Sequence, residues 1–445
     1  MSEISKKIIG QMEISSDIAK EIKKEVENLF DFKKKIEGVG TKNVSDVLAI
    51  VLTGTSHLKS SDAHLEPKEE GAILRIRIDG ILQEAGFLTE KTYESMLSRI
   101  KLLSGLKLNI SDRPQDGRFT ILIPKIDKKE AEEIIEIRVS SLPSEYGESL
   151  VCRILNPKNL INLEELGLRE DLLKIVKREI EKPHGMIVVT GPTGSGKTTT
   201  LYAFLKTIQS PEIKIITIED PIEYRLAGIS QTQVMPKKGY DFASGLKSIM
   251  RQDPDVILVG EIRDSETAKI AIQAALTGHL VFSTLHTNDA AGTIARLINL
   301  DVKTSDIGPA INMAVAQRLI RKVCPKCSEL KKPDQLVLDK IKKEMAGILT
   351  FIKIPEINSN LKIPFAFLKG CKYCNFTGYK GRAGIFEALV IDEEMEMFIA
   401  NNPPTSSIKN KAIEKGMVTM RQDGIIKVLK GETTFEEIER VASED

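Results

Sequence analysis

The sequence predicts an α/β protein whose centre is a parallel sheet with helices on both faces, and three observations lead there. Between about residues 185 and 317, short apolar runs (MIVVT, IKIITI, VILVG, HLVFSTL) alternate with helical patterns that begin near Lys197, Phe242, Ser265 and Ala290. Runs of that kind belong to strands covered on both sides. The first run passes straight into GPTGSGKTTT (191–200) and then a helical segment, the strand–loop–helix context of a phosphate-binding loop. Upstream, alternating patterns such as AILRIRIDG (72–80) and EIRVS (136–140), with a helical stretch near 93–106, mark a separate small α/β domain.

Taken in order, residues 1–42 are rich in Lys, Glu and Ile and read as a helical arm of one or two amphipathic helices that stop at Gly38-Val-Gly40. Residues 43–160 form the small α/β domain, in which Cys152 reads as a buried strand residue. NPKN (156–159) interrupts it, and 161–182 is a linker with a helix over 169–181. Residues 183–321 hold the parallel sheet, so ligands are expected at the carboxyl ends of its strands. Residues 322–390 carry two cysteine pairs around a Lys-rich insertion, and 391–445 read as a helical C-terminal region.

A chain of 445 residues exceeds what one core supports. Its 64 basic and 63 acidic residues leave a net charge of +1, so no global field exists to hold a polyanion, and no nucleic-acid partner is expected. No stretch approaches the ~20 apolar residues of a membrane span and the N-terminus has no signal-peptide pattern, which points to the cytoplasm.

Several residues carry chemistry. Gly191, Gly194, Ser195 and Gly196 bring backbone N–H groups to phosphate oxygens, Lys197 reaches the β- and γ-phosphates of a nucleoside triphosphate, and Thr198, followed by Thr199, offers its hydroxyl to Mg²⁺ at a helix N-terminus. Glu219 ends one strand pattern and Glu261 follows another. Acids at these points hold the metal or orient the attacking water, though either could merely cap its loop, and the sequence does not divide the roles of base and ligand between them. His286 closes the run HLVFSTL at the carboxyl end and is placed to sense a γ-phosphate. His279, about 23 Å away at ~3.3 Å per residue and on the opposite face, reads as structural or as a subunit contact. Cys324-Pro-Lys-Cys327 and Cys371-Lys-Tyr-Cys374 supply the four thiolates of a structural Zn²⁺ site, assembled across the unusually long stretch 328–370; the alternative is four reduced, unliganded thiols.

Together SSDAHLEP, RIRIDG, RPQDGRF, GPTGSGKTTTLYAFL, IEDPIEY, the run RQDPDVILVGEIRDSETAKIAIQAALTGHLVFSTLHTNDA, and the cysteine pairs with TGYKGRAGIFEAL resemble the secretion ATPase superfamily over roughly residues 45–440. The family comprises hexameric motors of type II secretion and of type IV pilus assembly and DNA uptake. The resemblance implies a PAS-like domain at 43–160, a RecA-like ATPase core at 183–321, ATP as the nucleotide, a homohexamer, and attachment to the inner membrane through a platform protein, with room for a further cytoplasmic docking partner. It also implies that Arg138 and Arg153 reach the phosphates, and that the cysteine pairs favour assembly over retraction. Lys247 stands where the family usually has Arg, and only about 40 residues precede the PAS-like region, where many members carry a further docking domain. Two other functions use the same core: a nucleic-acid translocase, and a scaffold that ATP orders without turnover.

Overall fold

The computed structural model of the chain describes residues 10–40, 42–126, 132–348, 352, 354–366 and 369–443. Parts of the predicted arm (1–9 and 41), of the small α/β domain (127–131), of the cysteine insertion (349–351, 353, 367 and 368) and of the helical tail (444 and 445) lie outside the described residues. The chain divides into two compact units, one of residues 1–159 and 368–380, the other of residues 160–367 and 381–445. Among the described residues no helix is long and apolar enough to cross a membrane.

The first unit begins with β1 (Gln11–Glu13), α1 (Ser16–Glu25), α2 (Leu29–Glu37) and α3 (Val44–His57). There follow β2 (Asp62–Lys68), β3 (Gly71–Ile78), β4 (Ile81–Thr89), α4 (Glu90–Ser104), β5 (Gln115–Ile123), β6 (Glu133–Ser144) and β7 (Gly147–Leu155). They make one seven-stranded sheet in the order β1-β5-β6-β7-β2-β3-β4. Alternation decides its faces: in β3, Ala72, Leu74, Ile76 and Ile78 are buried while Arg75 and Arg77 lie on the other side. Residues 10–40 do not stand off as an arm. The short β1 pairs in parallel with β5, and Ile18, Ile22, Phe32 and Ile36 are buried in the same core as α3 and the sheet. The Lys and Glu residues between them occupy the outer helix faces.

The second unit opens with a short 3-10 turn at Leu163–Leu166 and α5 (Glu170–Ile180). Leu163, Leu166, Leu172, Val176 and Ile180 are buried against the sheet, so the stretch predicted as a linker packs into the core. Then come β8 (Gly185–Thr190), α6 (Lys197–Ile208), β9 (Ile215–Glu219), β10 (Ser230–Gln233), α7 (Phe242–Ile249), β11 (Val256–Val259), α8 (Ser265–Leu276), β12 (Leu280–Leu285), α9 (Gly292–Asn299), α10 (Thr304–Ala310) and β13 (Ile311–Val323). After a hairpin of β14 (Glu329–Lys331) and β15 (Ile363–Phe365) flanking α11 (Gln335–Met345), the chain returns as β16 (Tyr379–Val390), α12 (Glu393–Ala400), α13 (Thr405–Glu414), α14 (Met420–Leu429) and α15 (Phe435–Val441).

The strand order is β10-β9-β11-β12-β8-β13-β16, and the pairings from β10 to β13 are parallel. β8 is buried along its whole length: Met186 and Val188 face one core with α7, α8 and α9, while Ile187 and Val189 face the other with α5 and α6. Residues 322–367, 381–390 and 391–445 belong to this unit, while 368–380 group with the first. The apolar stretch of β16 forms the edge strand beyond β13, and α12 to α15 bury Met395, Ile408, Ile425 and Ile438 in the same cluster as β8.

Candidate nucleotide-hydrolysis site

The loop after β8 turns where side chains cannot fit. Gly196 has φ +91°, and a Cβ there would stand 2.8 Å from Gln317 Nε2; a Cβ on Gly191 would meet the Gln317 carbonyl oxygen at 2.4 Å. β13 therefore runs close beneath the loop, and buried Gln317 accepts a hydrogen bond from Thr200 Oγ1 at 2.6 Å. Sequence reasoning missed Gln317. Its only signal was a polar residue at the end of the apolar run Ala314-Val315-Ala316.

Lys197 opens α6, and its Nζ donates to the carbonyls of Gly191 at 2.8 Å and Pro192 at 3.1 Å. Burial lowers its pKa, opposed by the negative charge of Glu261. Ser195 Oγ is buried without a partner, and Gly194 lies at φ +80°. Thr198 is exposed and Thr199 half-buried in the first turn of α6. A cationic side chain folded onto loop carbonyls, an orphaned buried hydroxyl and a helix N-terminus together fit a phosphate group and its Mg²⁺.

The two acids differ in setting. Glu219, at the end of β9, is 3 % exposed, and both its oxygens are engaged: Thr217 Oγ1 donates at 2.6 Å and Gln231 Nε2 at 3.2 Å to Oε1, and Tyr202 Oη donates to Oε2. Burial raises its pKa against those hydrogen bonds. Glu261 follows β11, with Arg263 Nη2 at 2.6 Å and His286 Nε2 at 3.5 Å. His286 follows β12 and is half-exposed. β11, β12 and β8 are adjacent parallel strands, so their carboxyl ends bring Glu261, His286 and the 191–200 loop together. His279 sits before β12, its Nδ1 3.1 Å from the Ala274 carbonyl oxygen, at the other end of the sheet.

In the first unit Arg138 and Arg153 are direct cross-strand partners, and Arg118 lies opposite Arg138. Like charges placed opposite one another are destabilising unless anions attend them. Here Asp62 Oδ1 accepts from Arg153 Nε at 3.2 Å and Glu136 Oε1 from Arg138 Nε at 3.3 Å. Arg118 was missed because only the register of three strands reveals the row.

The sulfurs of Cys324, Cys327, Cys371 and Cys374 all lie within 4.8 Å of one another. Four thiolates at that separation match the donor set of a tetrahedral Zn²⁺ site. Cys152 is buried elsewhere in the first unit, where desolvation pushes its thiol up to about 12.

The profile of the Type II/IV secretion system protein family matches residues 37–440. The chain belongs to that family. It is 42% identical to type II secretion system protein E of Dickeya dadantii, over 94% of this chain and 80% of that protein. It is 40% identical to the type IV pilus assembly ATPase PilB of Thermus thermophilus, over 98% of this chain and 47% of that one. Among solved structures, the pilus retraction motor PilT with bound ADP aligns over 88% of this chain and 95% of its own, with TM-score 0.56 and 25% identity. The Legionella pneumophila ATPase DotB covers 88% and 94% with TM-score 0.62 at 21% identity, a likeness of fold.

Proposed function

We propose that this family member is a Mg²⁺-dependent ATPase that works as a homohexameric motor for type II secretion or type IV pilus assembly, held at the inner membrane by a platform protein. The observation that carries the reading is the convergence of Lys197, Ser195, Glu261 and His286 at the carboxyl ends of adjacent strands, in a chain whose relatives are named as secretion proteins and pilus ATPases. In this reading the N–H groups of the 191–196 turn take the β- and γ-phosphates, and Lys197 leaves the loop carbonyls to meet them. Ser195 and Thr198 would hold Mg²⁺, which would neutralise phosphate charge.

Glu261 accepts the proton of the attacking water while the water oxygen bonds to the γ-phosphorus and the bond to the ADP oxygen breaks. Glu261 is preferred to Glu219 because the latter's oxygens are already hydrogen-bonded in the core. His286 senses the γ-phosphate through its contact with Glu261, and Arg138 and Arg153 stabilise the transferred phosphoryl group. Zn²⁺ on the four cysteines is structural. ATP hydrolysis by the purified chain tests the reading: it should require Mg²⁺, should be abolished by Lys197→Ala without loss of fold, and should not respond to DNA. Wild-type turnover in that variant would remove the loop from the mechanism, and DNA-stimulated turnover would favour a translocase.

A further inference from the structure

The loop that follows His286 is tied at both its ends. Thr287 N donates to Thr190 Oγ1 at 2.8 Å, and the two threonine hydroxyls are 2.7 Å apart, which links it to the residue before Gly191. Thr287 Oγ1 also donates to the Asp289 carbonyl at 2.9 Å, and the Asp289 carboxylate pairs with Lys409 of α13 at 3.4 Å. The next residue, Ala290, donates its N–H at 2.8 Å to Oε1 of Glu387 in β16. Glu387 is 2 % exposed, and its Oε2 accepts the N–H of Met420, the first residue of α14, at 3.0 Å. One buried carboxylate thus joins the His286 loop to a helix terminus.

α14 carries the connection onward. Its residues from Asp423 to Leu429 are buried throughout, so the helix cannot yield sideways without disturbing the core. Asp423 Oδ1 accepts from Arg169 Nη1 at 2.9 Å and its Oδ2 from Phe386 N at 2.8 Å. Four residues on, Lys427 Nζ donates to the Gly167 carbonyl at 2.7 Å. Gly167 to Arg169 is the segment that leads into α5, shortly after the first of the chain's three crossings between the units, at residues 159 and 160. A ten-residue helix is about 15 Å long, enough to bridge the two places as one rigid rod.

We propose that Glu387 is a positioning residue and α14 a transmission rod, coupling the His286 loop to the Gly167–Arg169 segment so that the nucleotide state of the site sets the state of the stretch that follows the first crossing between the units. The inference rests on the nucleotide reading above. A loop displaced by a γ-phosphate pulls on Ala290, the Glu387 carboxylate passes the displacement to the N-terminus of α14, and Asp423 and Lys427 deliver it to 167–169.

Hydrogen exchange of the chain with and without Mg²⁺ and ATPγS tests this. In the wild-type protein ATPγS should slow exchange in 191–200 and change it in 163–171. Glu387→Gln can accept only one of the two N–H groups. It should retain the protection of 191–200, lose the response of 163–171, and lower kcat about tenfold with KM for ATP unchanged. Lys427→Met, which cuts the far end of the rod while keeping its apolar stem, should give the same phenotype, and the double variant should be no worse than either single one. An unprotected 191–200 in the wild type would sink the nucleotide reading and this inference with it. Protection of 191–200 with no response of 163–171, responses that survive in both variants, or additive losses in the double variant would each overturn the coupling alone.

Discussion

Replacing each acid in turn by its amide separates chemistry from architecture. Glu261→Gln removes a proton acceptor from a site where the side chain meets Arg263 and His286. Loss of general-base catalysis costs about 10²- to 10⁴-fold in kcat, so turnover should fall by that range while KM and thermal stability stay near wild type. Glu219→Gln perturbs a different balance. Gln has one acceptor oxygen where the carboxylate has two, and the donors from Thr217, Tyr202 and Gln231 converge on both. At least one buried donor then faces an amide NH₂, at a cost of about 1–3 kcal/mol. With an unfolding entropy of roughly 0.6 kcal/mol per degree for a unit of this size, the second unit should melt about 2–5 °C lower. Steady-state ATP hydrolysis and a calorimetric scan on the same preparations read both quantities. Turnover abolished in Glu219→Gln at unchanged melting temperature, with Glu261→Gln active, would refute the assignment.

Other outcomes follow from the same structure. Arg138→Ala or Arg153→Ala should lower kcat at least ~10²-fold with the fold retained. If the arginine acts across a subunit boundary, mixing Arg153→Ala with Lys197→Ala chains should restore part of the activity, and full activity of both single arginine variants would eliminate the role. The purified chain should carry one Zn²⁺, and Cys324→Ser or Cys371→Ser should lower its melting temperature; four freely titrating thiols and no metal would count against the site. Glu437 is buried, which raises its carboxyl, but hydrogen bonds from Arg440 and Arg321 outweigh burial and hold its pKa below the usual 4.5. A depressed pKa contributes stability above that value and loses it as pH falls through the folded pKa. The melting-temperature gap between wild type and Glu437→Gln should therefore be full near neutrality and shrink as the pH falls below 4.5 and through the depressed folded pKa; a gap independent of pH would contradict the pairing.

What the sequence determined by itself was whatever is local. The 191–200 loop is contiguous with its strand and helix, so glycines, lysine and hydroxyls stand in a spacing that geometry requires wherever the motif sits. The runs 215–218, 256–259 and 280–285 announced buried strands because a parallel sheet covered on both faces leaves no polar side, and Glu261 and His286 became legible as the residues just past two of those ends. Each cysteine pair is equally local. Tertiary structure decided the rest, because the contacts that matter join residues far apart in the chain. Nothing near Thr200 reveals that Gln317 lies beneath it, 117 positions away. Glu219 and Glu261 look alike at their strand ends, and only the approach of Tyr202, Thr217 and Gln231, which engages both oxygens of Glu219, tells them apart. The three residues of β1 are too few to show a period, so the parallel pairing that draws residues 10–40 into the first core appears only with β5 beside them. The arginine row exists only once the register of β5, β6 and β7 aligns it, since a shift of one residue would turn each side chain to the opposite face.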